Sequence, residues 1–382
     1  MNTYCGTGLA NPRNPRGITL AWDHNVYTKI AVVLMKIKIE LTFDKALSLS
    51  QEIKDISDEK KIELDFSSVN RIEPFAMLMV SSQLSRLKRR NPDAECVLKN
   101  ITNMNYAGNM GFFNAFREVH PTNKKNRTSS SSFIPIRIME RKTIQSDAFA
   151  KGIEVGDQVE NHCEEMAKML CREEAGDNFD TLAYSMRELM RNVVEHSNSE
   201  KLAYCAQYWP TKNRVELAII DRGIGLLEAL SPNPHINPET DKEAINYALM
   251  PAISGKAFKG ARKQRGPWAN SGFGLYMTSR ICRNGGTFLI ASGETAMLLT
   301  DKSDGKRYYN CNFQGTAIRM IIKTDKINDL SKSLERYRDE GHEIQRRYKE
   351  IVKIEPSAAS MMLSRDFDLT LWDSLLRKVK GK

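Results

Sequence analysis

Residues 188–197 read ELMRNVVEHS, and the interpretation of the whole chain turns on them. Leu182, Met186, Leu189 and Val193 recur at spacings of four, three and four, which predicts the buried stripe of an α-helix. Glu188, Asn192 and Glu195 gather on the other side, within about 60° of one another at about 3.6 residues per turn. Taken alone, such a face is simply solvated. A carboxylate and an amide one turn apart are also what a polar ligand needs. The segments around the helix decide between the two.

Two strands follow, AYCAQYW and RVELAII, and the second runs into DRGIG at 221–225. A carboxylate at a strand end with glycines two and four positions on predicts a tight turn that backbone or ligand can approach closely. Asp221 is suited to accept a hydrogen bond from an exocyclic amine such as that of adenine. Further on, SGFGL at 271–275 opens a helix, with Gly272 and Gly274 leaving the first N–H groups free to face an anion. The long loop-rich region 226–271 lies between. Its stretch SGKAFKGARKQRGPWAN, 254–270, carries five basic residues and no acidic one. Such a loop suits a mobile cover over phosphates, and it equally satisfies the description of an exposed basic loop. Gly315 and Thr316 enter a late strand.

Each of these signals is weak alone. In this order, Glu188 and Asn192, then Asp221, Gly223 and Gly225, then Gly272 and Gly274, then Gly315 and Thr316, they resemble the GHKL superfamily. That superfamily holds the ATP-binding domains of DNA gyrase, mismatch-repair ATPases, heat-shock chaperones, histidine kinases and anti-sigma serine kinases. The resemblance spans roughly residues 155–323. It implies ATP and Mg2+ as cofactors, with Asn192 the amide that ligates magnesium and Asp221 the adenine-binding carboxylate. Thr316 supports the same contact. Gly223 and Gly225 make room for the nucleotide, and Gly272, Phe273, Gly274 and Leu275 match the phosphate-binding lid edge. Glu188 matches the general base of the ATP-hydrolysing and serine-kinase branches. Lys256 or another base of the loop is expected at the γ-phosphate. Glu195 and His196 carry weaker claims, with packing under the nucleotide the plainer role for His196.

Residues 35–119 read as a small α/β unit: KIKIELTF alternates, ALSLSQEIKDI is helical, and KIELDFSSV is a second strand. FAMLMVSSQLSRLKRR then forms a helix whose basic charges collect at its C-terminal end, and ECVLKNI and YAGNMGFFNAF close the unit. DFSSVNRIEPFAM (65–77) and NMGFF (109–113) make this block resemble the STAS family of anti-sigma-factor antagonists and related regulators. In that family the loop after the strand carries a phosphorylated serine. Glu73-Pro74-Phe75 stands there in this chain, with Phe75 at the acceptor position, so that switch is not expected. Ser67 and Ser68 read as turn residues.

The division expected from the sequence is an N-terminal extension at 1–34, a STAS-like domain at 35–120, and a linker at 121–134. A GHKL domain at 135–324 and a helical segment at 325–382 complete it. The fold class is α/β: a small α/β domain, then a Bergerat-type sandwich of a mixed sheet with helices on one face, then C-terminal helices. Two helices are expected at 157–175 and 178–198, and four separate late strands in TFLIASGE, TAMLLTD, KRYYNCNF and TAIRMII. The charged helix from Asp325 carries Ile327, Leu330, Leu334 and Tyr337 as a stripe that packs on the body, or docks a partner. FDLTLWDSLLRKVKGK closes the chain as a basic amphipathic helix.

No apolar run approaches the roughly 20 residues of a membrane span, and the N-terminus lacks the order of a signal peptide. Met35, directly before the first convincing strand, is an alternative start. The 7 cysteines include no C-x-x-C pair, which argues against a disulfide framework or structural zinc and for a reduced, cytoplasmic setting. A net charge of +10 leaves nucleic acid open as a partner, although the excess is spread along the chain. His162 is not followed by the proline of a phosphoacceptor helix, which disfavours a histidine kinase. The expectation is a nucleotide-driven switch of bacterial regulation or defence that hydrolyses ATP slowly. Its state would pass to a protein partner through the STAS-like domain or the C-terminal helices, with self-association left open. An anti-sigma-type serine kinase and a non-hydrolysing nucleotide binder are the alternatives.

Overall fold

The computed structural model describes residues 32–36, 40–54, 56, 61–67, 69, 71–116, 132–256, 258, 272–302, 305–327 and 329–349. Readings placed on residues 1–31, Ser68, 117–131, most of 257–271 and 350–382 lie outside these residues.

The chain is mixed α/β. Its N-terminal block runs β1 (Val32–Lys36), β2 (Glu40–Leu41), α1 (Phe43–Lys54), β3 (Lys61–Asp65), β4 (Arg71–Ile72), α2 (Pro74–Arg90), β5 (Glu95–Lys99) and α3 (Asn105–Met110). The body runs β6 (Phe133–Glu140), α4 (Arg141–Lys151), α5 (Val155–Cys171), α6 (Asp177–His196), β7 (Lys201–Trp209), β8 (Arg214–Asp221), α7 (Gly225–Leu230) and α8 (Asp241–Ala248). It ends with α9 (Gly274–Cys282), β9 (Thr287–Thr300), β10 (Lys306–Lys323) and α10 (Leu330–Lys349). No helix among the described residues is long and apolar enough to cross a membrane.

In the block, β1, β3 and β5 form a parallel sheet in that spatial order, and β2 pairs with β4. β1 starts at Val32, paired with Lys61, so the first strand begins three residues before the boundary expected at 35. The NMGFF turn is a packing device. Gly111 ends α3 at φ 89°, a left-handed position that glycine takes without strain. Phe112 and Phe113 then turn inward against Phe66, with ring centroids 5.1–6.0 Å apart and edge-to-face geometry.

The body is built on a five-stranded sheet in the order β6-β7-β8-β10-β9. Every neighbouring pair is antiparallel, which corrects the expected mixed sheet. Helices also cover both faces rather than one. Val215, Leu217 and Ile219 of β8 join α5, α6 and α9 in one core. Ala218 and Ile220, on the alternate face, join Leu47, Phe75, Met79 and Leu84 of the N-terminal block in the other. The block is therefore docked on the back of the sheet, with no independent surface there. Phe75, at the position expected for a phosphoacceptor, is 0% exposed, and its N–H donates to Glu216.

A charged network lies at the centre of that junction. Arg319 donates to both carboxylate oxygens of Glu216 at 3.0 Å and to Glu73 at 2.8 Å. Arg214 adds a bond to Glu216 at 2.6 Å. Glu73 is the N-cap residue of α2, and its carboxylate makes no bond to the helix start; it pairs with Arg319 instead.

The late strands are two, not four. β9 and β10 run through Gly293 (φ 60°) and Gly315 (φ 96°), which sit near irregularities of the β9–β10 ladder and do not end the strands. Helix α4, which the sequence reading lacked, buries only Ile144 and Ala148. The stretch expected as loop at 226–271 contains α7 and α8. Phe133 and Ile134, assigned to the linker, already belong to β6. The stripe of α10 packs on the body, with Tyr337 and Ile344 buried and Ile327, Leu330 and Leu334 against the same core.

Candidate functional site

Helix α6 supplies the floor of the site. Leu182, Met186 and Leu189 are 0% exposed and Val193 is 8% exposed, as the spacing requires. Its other face is not left to solvent. It lines a cleft together with the end of β8, the start of α7, residues 253–255, the start of α9 and the middle of β10. Glu188, Asn192, Asp221, Gly225, Gly272, Gly274, Leu275 and Thr316 all line this one cleft.

Strand register explains how Asp221 and Thr316 meet. They are direct partners in the β8–β10 ladder, and Ile219 and Ile318 pair two residues along on the same face, forming an apolar bed beneath them. Asp221 is 2% exposed, and its Oδ1 accepts the Gly223 N–H at 2.7 Å. Burial pushes its carboxyl up to about 7, against the lowering effect of hydrogen bonds from Gly223 and from the backbone and side chain of Thr316. A group that holds its proton to about 7 in the fold, against 3.8 as a free side chain, stabilises the protein fully only below 3.8. Stability from this group falls as pH rises through that window, by at most about 1.4 kcal/mol per unit. A ligand amine that donates to Asp221 favours the ionised carboxylate, so affinity runs the other way. For a ligand that donates such an amine, affinity is expected to fall up to tenfold per pH unit below about 7 and to level off above it. Titration calorimetry from pH 5.5 to pH 8.5 with adenosine, which has no phosphate to titrate, checks this; a flat profile contradicts it.

Glu188 lies under the start of α9. A Cβ on Gly274 would stand 2.5 Å from Glu188 Oε2, so any larger residue there would push the carboxylate aside. Arg187 holds the other carboxylate oxygen at 3.3 Å. The carboxylate thus sits at the positive end of α9, whose first N–H groups have no intrahelical acceptor. Asn192 presents an amide whose Nδ2 is buried without a hydrogen-bond partner. An unmet polar group lining a cleft fits a polar ligand, and rotation of the amide would offer its oxygen to a cation instead. Among the described residues no three His, Cys, Asp or Glu side chains are grouped to hold a metal. The Mg2+ expected here fits only as an ion completed by ligand phosphates and water, which is its usual coordination. His196 also lines the cleft. Burial, with Lys256 and Arg191 nearby, pushes its imidazole down to about 4, so it is neutral at pH 7.

Three expected site residues lie elsewhere. Gly223 gives room to protein: a Cβ there would run into the Ser197 carbonyl. Phe273 turns away from the cleft, its ring 4.9 Å from His342 of α10 and 6.3 Å from Tyr276. Lys256 donates to the Glu195 carbonyl at the end of α6 and lines a neighbouring cleft. Glu195, too, faces that neighbour, bonded to Arg191 at 2.7 Å.

The sequence reading missed the apolar walls, Ile253, Leu226, Ala229 and Leu230 among them, and Ser292 behind them. Ser292 accepts the Leu226 N–H at 2.9 Å and donates to the Gly315 carbonyl at 3.0 Å, tying α7 to the bulge before Thr316. The walls had one available signal, the period-two alternation that places Ile219 on the face of Asp221.

No protein-family model matches the chain, and no curated protein is significantly similar to it.

Proposed function

We propose that the chain is a Mg2+-dependent ATP-binding protein of the GHKL kind, a Bergerat-type domain with a STAS-like block docked behind its sheet. One observation carries the reading: Glu188, Asn192, Asp221, Gly272, Gly274 and Thr316, chosen from separate segments, line a single cleft. Chance placement of turn glycines and a solvated helix face would scatter them.

In this reading Asp221 and Thr316 hold the adenine amine above Ile219 and Ile318, and the start of α9 receives phosphate. Asn192 would supply a protein oxygen to Mg2+, and when bound the ion supplies positive charge to the phosphate oxygens. Glu188, oriented by Arg187, takes a proton from the attacking water while the water oxygen bonds to the γ-phosphorus. The bond from that phosphorus to the β–γ bridging oxygen breaks, and ADP leaves with its electron pair.

Contacts on two sides of the cleft support a switch. Phe273, between the two glycines at the cleft edge, packs on His342 of α10, and Arg280 of α9 grips Glu340 through two bonds of 2.8 and 2.9 Å. On the opposite side, Arg222 follows Asp221 directly and bonds Ser82 at 2.9 Å and Gln83 at 3.1 Å on α2. Movement at the nucleotide would reach both the C-terminal segment and the N-terminal block, where a protein partner would read it.

The test is incubation of the full chain with γ-labelled ATP and Mg2+. Wild type is expected to release free phosphate. Glu188→Gln should bind ATP normally and release phosphate at least about 100-fold more slowly. Label transferred to protein would mean a serine kinase. Binding with neither release nor transfer would leave a nucleotide binder and end the enzymatic reading.

A further inference from the structure

The nucleotide cleft has a basic neighbour. A second cleft of about 380 Å³ opens between α4, the start of α5 and the outer side of α6. Its charged lining is Arg141, Arg187, Arg191 and Lys256, with Glu154 and Glu195. Arg191 lines both clefts, and Arg187 of the second bonds Glu188 of the first, so the two adjoin across one turn of α6.

The two acids are already engaged. The Glu154 side chain closes a capping box with Asp157 at the start of α5, and Glu195 holds Arg191. Arg187 is tied to Glu160 at 2.7 Å and to Glu188. Arg141 has no carboxylate partner among the described residues, and its Nε, like that of Arg187, is buried with no acceptor. The cleft therefore holds more donors than acceptors. Unmet guanidinium N–H groups are costly, and a tetrahedral oxyanion matches their forked geometry.

We propose that this cleft is a second anion site that takes a phosphate-class oxyanion beside the nucleotide. Two sources share that chemistry: the terminal phosphate of a triphosphate reaching past Arg191, and free inorganic phosphate. The cation set stands without the ATP reading, and only the first source rests on it. Arg141 reaches no part of the nucleotide cleft, which makes it the residue to change.

The experiment titrates inorganic phosphate into the full chain at low ionic strength, alone, with saturating ADP and with a non-hydrolysable ATP analogue, followed by calorimetry and 31P line broadening. Phosphate should bind the free chain. Arg141→Gln should weaken it by about tenfold or more and Arg141→Lys by less, with ADP affinity and thermal unfolding unchanged. Loss of phosphate binding with the triphosphate but not with ADP would support the site and name the γ-phosphate as its occupant. Binding alongside both nucleotides would support it and name free phosphate. If ADP does not bind at all, the nucleotide reading fails while the titration of the free chain still decides the cleft. Absent phosphate binding, or equal binding by wild type and both Arg141 variants, would overturn the proposal.

Discussion

Asp221→Asn is expected to weaken ADP binding by at least about 100-fold while leaving the protein folded. The substitution keeps the shape of the side chain and changes what it can accept. The native carboxylate is 2% exposed and faces donors: the Gly223 N–H at 2.7 Å and the N–H and hydroxyl of Thr316. A carboxylate can take these and still accept from an adenine amine. An amide has one oxygen, and its NH2 would then face a donor on either the protein or the ligand side. The loss of a charge-assisted bond with a donor left opposed costs about 3 kcal/mol, which is a little over 100-fold. Folding should not suffer in step, because Asn removes a buried carboxyl whose ionisation above about 7 costs the fold stability. Calorimetry at pH 8 with ADP, beside a thermal melt of each protein, separates the two effects. An Asp221→Asn variant that binds ADP as wild type does would remove the adenine pocket from the reading. A variant that fails to fold is replaced by Thr316→Val, which exchanges only the hydroxyl for a methyl and should weaken ADP by roughly tenfold.

How far the site could be read in the sequence depended on how local each signal was. Helix α6 was legible on both faces because a 3.6-residue period within one segment fixes them. Asp221 and Thr316 were legible as separate turn residues, but their pairing belongs to the β8–β10 register, which lies outside either segment. Gly223, Gly293 and Gly315 were misleading for a related reason. A glycine marks a backbone that needs room or a positive φ, and it does not say whether the room serves a ligand, a bulge or a neighbouring carbonyl. Gly223 admits Ser197, and the other two lie inside continuous strands. The docking of the N-terminal block escaped notice, yet it had a signature. The runs LAII in β8 and FLIA in β9 are apolar at every position, a mark of strands covered on both faces. Glu216 and Arg319 interrupt such strands singly, and only the pairing of β8 with β10 turns two anomalies into one ion pair.

That ion pair sets the second large effect. Arg319→Met is expected to destabilise the chain by about 3–5 kcal/mol, because it leaves the Glu216 carboxylate buried without its main partner. Glu216 is 0% exposed and Arg319 4%, so water cannot take over the lost bonds. Arg214 remains on one oxygen of Glu216, but the other keeps only the Phe75 N–H at 3.3 Å, and Glu73 loses Arg319 as well. Adding Glu216→Gln should restore part of the loss: the amide oxygen can still accept from Phe75, and the fully buried carboxylate is gone, although Glu73 still lacks Arg319. A positive coupling in the double-mutant cycle, read from urea unfolding, would identify the pair as the source. A cost below about 1 kcal/mol for Arg319→Met would show instead that the junction is wet and the network weak. The shape of the transition carries the larger lesson. Glu73 belongs to the N-terminal block and Glu216 and Arg319 to the sheet, and Phe75, Met79 and Leu84 share one core with Ala218 and Ile220. Block and sheet should therefore unfold in a single step in wild type, and the substitution should split that step in two if the buried charges, more than the apolar contact around them, hold the halves together.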